Sequence, residues 1–126
     1  MQTKTKFIIF IVLVVIIIGG IGIYTALKPQ EPGKLDNFAK CINASGAKFY
    51  GAFWCSHCND QKTEFGSSKQ YLPYVECSNA DNTQIQICID KKIEGYPTWI
   101  FNDGSIESGK LSLQTLADKT SCVLPQ

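Results

Sequence analysis

The pattern of apolar and polar positions divides the chain into two unlike parts. From Phe7 to Leu27 there is no charge, and Ile and Val dominate. These 21 residues would make about 31 Å of helix, the thickness of a bilayer's hydrocarbon core. Lys28-Pro29-Gln30-Glu31-Pro32-Gly33 ends the run and reads as a linker over 28–33. Beyond it, short apolar blocks alternate with polar ones. Asp36 is placed to cap a helix that turns Phe38, Cys41 and Ile42 to one side and ends near Ser45-Gly46. Ala47 to Trp54 is apolar or aromatic on both faces, as in a strand inside a mixed sheet. A helix follows from Cys55, with Gln61, Lys62 and Glu64 on its wet side, and Gly66-Ser67-Ser68 breaks or bends it. Tyr74 to Cys77 predicts a second strand. Thr83 to Lys92 predicts a short helix with Ile85, Cys88 and Ile89 inward. Gly95-Tyr96-Pro97 leads into a strand over Thr98 to Phe101, and Asn102-Asp103-Gly104 makes a hairpin turn to a return strand over Ser105 to Ser108. Ser112 caps a last helix, with Leu113, Leu116 and Ala117 inward, running to Cys122. The expected order is helix, strand, helix, strand, helix, strand, strand, helix, an α/β arrangement with no repeats.

The apolar run predicts a single membrane anchor over 7–27. Residues 1–6 carry Lys4 and Lys6, which places the N-terminus in the cytoplasm and residues 34–126 outside it, on the periplasmic or extracytoplasmic side. The competing reading is a cleaved signal peptide. Such peptides carry about 7–15 apolar residues before small residues at the cut. Here the run is longer, and a cut after Ala26 would set bulky Tyr24 at the third position before it. Either way the domain lies outside the cytoplasm.

Composition narrows the chemistry. With 126 residues there is room for one ordinary domain beside the anchor. Net charge is +1, and all twelve basic residues are Lys. The absence of Arg argues against nucleic-acid or phosphate recognition. Six cysteines are dense for this length, yet one His and one close cysteine pair do not make a zinc layout. No metal or cofactor is expected, and an oxidising compartment explains the cysteines better.

The close pair is Cys55-Ser56-His57-Cys58, at a strand-to-helix corner. Thiolate is the reactive species in thiol–disulfide exchange, and the first turn of a helix favours negative charge. Cys55 is therefore assigned as the attacking residue. Cys58, one turn further in and better buried, is the resolving one. An inert structural disulfide is the alternative, but so short a loop constrains the unfolded chain little. His57, as imidazolium, would stabilise the Cys55 thiolate and make the disulfide a better oxidant.

That element order, with Trp54-Cys55-Ser56-His57-Cys58 after the first central strand and Gly95-Tyr96-Pro97-Thr98 before the hairpin, resembles the thioredoxin fold from Leu35 to Cys122. Cys-Ser-His-Cys is nearer to the DsbA-type Cys-Pro-His-Cys than to thioredoxin's Cys-Gly-Pro-Cys. Lys48-Phe49-Tyr50-Gly51-Ala52-Phe53-Trp54-Cys55, Tyr74-Val75-Glu76-Cys77, Ile87-Cys88-Ile89-Asp90 and Gly95-Tyr96-Pro97-Thr98-Trp99 resemble more closely the thioredoxin-like domain fused to or encoded beside vitamin K epoxide reductase homologues. That resemblance implies a self-anchored thiol–disulfide oxidoreductase. It would oxidise secreted cysteine-containing proteins and be reoxidised by a vitamin K epoxide reductase homologue or a DsbB-like membrane protein. Quinone would enter only through that partner. It also implies that Tyr96–Pro97 is a cis peptide facing the disulfide, whose preceding backbone can pair with a bound peptide. Trp54 is the candidate for an apolar substrate groove, while Trp99 and Phe53 are expected in the core. Thioredoxin's buried acid, six residues before the first cysteine, is replaced here by Phe49. The other four cysteines allow three connectivities. The family pattern favours Cys77–Cys88, which leaves Cys41 and Cys122 for each other as a second structural bond. Two other functions remain open at this point: an anchored reductase or isomerase, as in cytochrome c maturation, and a non-enzymatic thioredoxin-fold binding module.

Overall fold

The computed structural model describes residues 2–27 and 32–126, with side chains over 4–24 and 32–126. It divides into two units, Met1–Glu31 and Pro32–Gln126. The first is one helix, α1 (Gln2–Leu27). Its stretch Lys4–Tyr24 is long and apolar enough to cross a membrane, and its apolar side chains are exposed. Length and composition fit a membrane anchor and a signal sequence alike. Most of the expected linker, residues 28–31, lies outside the described residues.

The second unit runs α2 (Asp36–Ala44), β1 (Lys48–Gly51), α3 (Ser56–Glu64), a short 3-10 helix (Gly66–Tyr71), β2 (Tyr74–Glu76), α4 (Gln86–Asp90), β3 (Thr98–Ile100), β4 (Ile106–Ser108) and α5 (Leu113–Thr120). The four strands form one mixed sheet in the order β2-β1-β3-β4. β1 lies parallel to β2, with Phe49 opposite Tyr74, and antiparallel to β3, with Phe49 opposite Trp99. Successive side chains of a strand point to opposite faces, so β1 builds two cores. Phe49 joins the larger one, with Phe38 and Ile42 of α2, Cys58 of α3, Trp99 and Leu116 of α5. Its ring stacks on Trp99 at 4.6 Å between centroids, a contact worth about 1 kcal/mol beyond burial. Tyr50 joins the smaller core with Cys77, Cys88 and Ile93. The mixed sheet flanked by helices is the expected class.

Several local expectations are corrected. Asp36 does not cap α2; Leu35 holds that position without a side-chain bond, and Asp36 Oδ1 is buried without a hydrogen-bond partner. The strand expected over Ala47 to Trp54 stops at Gly51, because Cys55 N donates to Ala52 O and turns the chain into α3. The helix expected from Thr83 starts only at Gln86. Ser78 pairs with Gln84 as an antiparallel bridge, and Ile85 N donates to Cys77 O, so 83–85 is held extended. Cys88 turns inward and Ile85, just before the helix, packs on the smaller core as expected, but Ile89 is exposed. Gln61 is fully buried rather than wet: its amide donates to Leu111 O at 3.0 Å and accepts from Leu111 N at 2.8 Å, fixing α3 to the segment before α5. Ser112 does cap α5, accepting from Thr115 N at 3.0 Å.

Candidate functional site at the first turn of α3

The end of β1 and the start of α3 place the close cysteine pair. Gly51 closes the strand, Ala52 to Trp54 make the corner, and Cys55 is the N-cap residue of α3. Cys55 and Cys58 are joined as a disulfide, with their α-carbons 5.3 Å apart. Cys55 is 7% exposed and Cys58 is fully buried, so of the two residues only Cys55 reaches solvent. Cys58 N donates to Cys55 Sγ at 3.2 Å. An N-terminal N–H that lacks a helical acceptor thus points at the sulfur that would carry charge after reduction.

Close packing holds the pair from behind. A methyl group at Gly51 would lie 2.9 Å from Cys58 Sγ and 2.8 Å from the Tyr74 ring. A glycine inside an apolar strand is a signal of close backbone approach, and here the neighbour is the buried sulfur. Tyr74 in turn donates to Glu76 Oε2 at 2.9 Å, and the Lys62 ammonium lies 3.3 Å from the centre of its ring. Burial, then the bond to Glu76, holds the Tyr74 hydroxyl well above the ordinary tyrosine range. Burial pulls Lys62 below its ordinary value. Glu76 Oε1 accepts from Phe53 N at 3.1 Å and from Ser78 N at 3.0 Å. One carboxylate thereby ties the corner before Cys55 to the segment after β2. Nothing in the apolar and polar pattern marked Glu76 for this, because the Phe53 backbone N–H that it ties down lies 23 positions away in sequence.

The remaining predicted residues fall in three places. His57 is 72% exposed, and its Nδ1 lies 3.8 Å from Asp60 Oδ2. Trp54 and Phe53 are each 51% exposed beside the pair. Phe53 is thus not a core residue: the chain has left the sheet before reaching it. Trp99 is in the core. Trp54 meets Tyr96 edge to face, 5.8 Å between centroids. The Tyr96–Pro97 peptide is cis, and Pro97 is buried. The antiparallel pairing of Tyr50 with Thr98 sets Pro97 alongside Gly51, the glycine whose missing side chain would meet the Cys58 sulfur. Cys41–Cys122 and Cys77–Cys88 are also disulfides, linking α2 to the end of α5 and β2 to α4.

No protein-family model matches the chain. It is 48% identical over 93 residues to the thiol-disulfide oxidoreductase LTO1 of Arabidopsis thaliana, covering 70% of this chain and 24% of that protein. The fold is that of thioredoxin. A thioredoxin domain-containing protein 5 homolog of Drosophila melanogaster is 33% identical over 90 residues, covering 62% of this chain and 21% of that protein. The chain thus spans less than a quarter of the length of these curated relatives.

Proposed function

We propose that the protein is a membrane-anchored, extracytoplasmic thiol–disulfide oxidoreductase that oxidises protein thiols through Cys55–Cys58. The observation that carries this reading is the asymmetry of the pair. Cys55 sits at a helix N-cap near solvent with an N–H aimed at its sulfur, and Cys58 is sealed behind it. A substrate thiolate attacks Cys55 Sγ and breaks the disulfide, leaving Cys58 as a thiolate that takes up a proton. A second substrate thiolate then attacks the substrate sulfur of this mixed disulfide and expels Cys55. The substrate leaves oxidised, the expelled Cys55 thiolate takes up a proton, and the pair is left as two thiols. Two electrons and two protons have moved to the protein, and they pass on to a quinone-reducing membrane partner of the vitamin K epoxide reductase or DsbB type. The likeness to a thiol-disulfide oxidoreductase supports the redox class. α1 supplies the anchor.

The reduction potential of Cys55–Cys58, measured in the full chain against glutathione buffers, tests the direction. A value more oxidising than the glutathione couple is expected. A strongly reducing value near thioredoxin's, about −270 mV, would turn the reading to a reductase fed from the inner side of the membrane. His57→Ala should lower the potential by about 10–20 mV. A change of that size is what an exposed neighbouring group supplies, since 30 mV corresponds to about 1.4 kcal/mol for two electrons.

A further inference from the structure

The segment between Cys77 and Cys88 is built more rigidly than a connection needs to be. The disulfide closes it at one end. Inside, Ser78 pairs with Gln84 across an antiparallel bridge, and Asn79 N donates to Thr83 O at 2.8 Å. Both members of that bridge spend their side chains on the two aromatic residues beside the active disulfide. Ser78 Oγ donates its one hydrogen to Asn79 O at 3.0 Å and accepts from Trp54 Nε1 at 2.9 Å. Gln84 Nε2 has two hydrogens. One goes to Ile93 O at 2.7 Å and the other to the Tyr96 hydroxyl at 2.9 Å. Trp54 and Tyr96 then meet edge to face. The four side chains form a chain of contacts that the Ser78–Gln84 backbone bridge closes, and every donor named has one acceptor.

Trp54 needs this help. Half of it is exposed, and it stands on the corner after β1, outside any strand or helix. An indole so placed would otherwise turn freely about its two side-chain bonds, and fixing it on binding would weaken affinity. We infer that Ser78 and Gln84 are positioning residues, which hold Trp54 and Tyr96 ready to grip the chain of a peptide thiol substrate beside Cys55. The inference rests on the oxidase reading above. It assigns the 78–84 segment to recognition of polypeptide substrates, as distinct from the exchange chemistry. A small dithiol that reaches Cys55 without touching the aromatics has no use for the circuit.

The test compares two reductants on the full chain in detergent micelles, with excess oxidised glutathione as the terminal oxidant that reoxidises Cys55–Cys58 after each turnover. One is a synthetic peptide with two cysteines and flanking apolar residues; the other is dithiothreitol. Ser78→Ala and Gln84→Ala should each raise KM for the peptide about three- to tenfold, the effect of one lost hydrogen bond, with kcat little changed. Rates with dithiothreitol and the reduction potential should stay at the wild-type values. Ser78→Thr, which keeps the hydroxyl, should restore the peptide KM. Equal losses with both reductants, a changed potential, or an unchanged peptide KM would overturn the inference while leaving the oxidase reading in place. A wild-type chain that oxidises neither reductant would remove the oxidase reading, and this inference with it.

Discussion

Replacing Cys41 and Cys122 together by alanine should destabilise the unit Pro32–Gln126 by about 5 kcal/mol. Most of that figure is chain entropy. The bond joins residues 81 apart and so closes nearly the whole unit. Loop-closure arithmetic for a ring of this size gives about 15 cal/mol/K, or about 4.5 kcal/mol at 25 °C. Packing adds little. Cys41 is exposed on α2, and only Cys122 is buried, where loss of its sulfur leaves a small hole worth about 1 kcal/mol. The unfolding entropy of a unit this long is about 0.2 kcal/mol/K, so Tm should fall by roughly 20 °C or more. The assay is guanidinium unfolding followed by tryptophan fluorescence, since Trp99 is fully buried. Reductant is left out, so that Cys55–Cys58 and Cys77–Cys88 stay closed. The midpoint should drop and the slope m should rise, because the unfolded chain is released from its ring and exposes more surface. A loss below about 2 kcal/mol with an unchanged slope would refute the reasoning. It would mean that the unfolded chain stays compact without the bond.

Two further outcomes follow from the site. Gly51→Ala puts a methyl between the Tyr74 ring and Cys58 Sγ, and overpacking of this kind costs about 1–3 kcal/mol. Guanidinium unfolding should show the loss, and an unchanged midpoint would mean that the ring swings clear freely. Tyr74→Phe should flatten the decline of stability above pH 10. The folded protein holds this hydroxyl above its ordinary value, so its contribution is whole below about pH 10, the unfolded value, and is lost as pH rises toward the folded one. Lys62, pulled down by burial, has the opposite slope in that range but is present in both proteins, so the difference between them isolates Tyr74. Unfolding midpoints at pH 9 and pH 11 measure it. Parallel curves for the two proteins would show that Tyr74 ionises alike folded and unfolded.

Local sequence determined more of this protein than its length suggests. The uncharged run over Phe7 to Leu27 specifies an apolar helix, because nothing else satisfies a backbone in an apolar setting. Alternation and turn residues set the order of elements in the second unit. The Cys55–Cys58 spacing at a strand-to-helix corner set the place of the reactive pair, since it depends on residues only three apart. Tertiary structure decided what depends on distant partners. Gln61 reads as a surface residue until Leu111, fifty positions on, offers both of its backbone groups. The expected helix over Thr83 to Lys92 is cut short because Ser78 and Cys77 take 84 and 85 into strand-like pairing. Phe53 carries the composition of a core residue and lies outside, because the chain has already turned toward α3. Glu76, Ser78 and Gln84 carry no pattern of their own. Their roles exist only once the sheet brings the end of β2, the corner before Cys55 and Tyr96 together. A hydrogen bond is short-ranged, and only the fold sets which groups come within its reach.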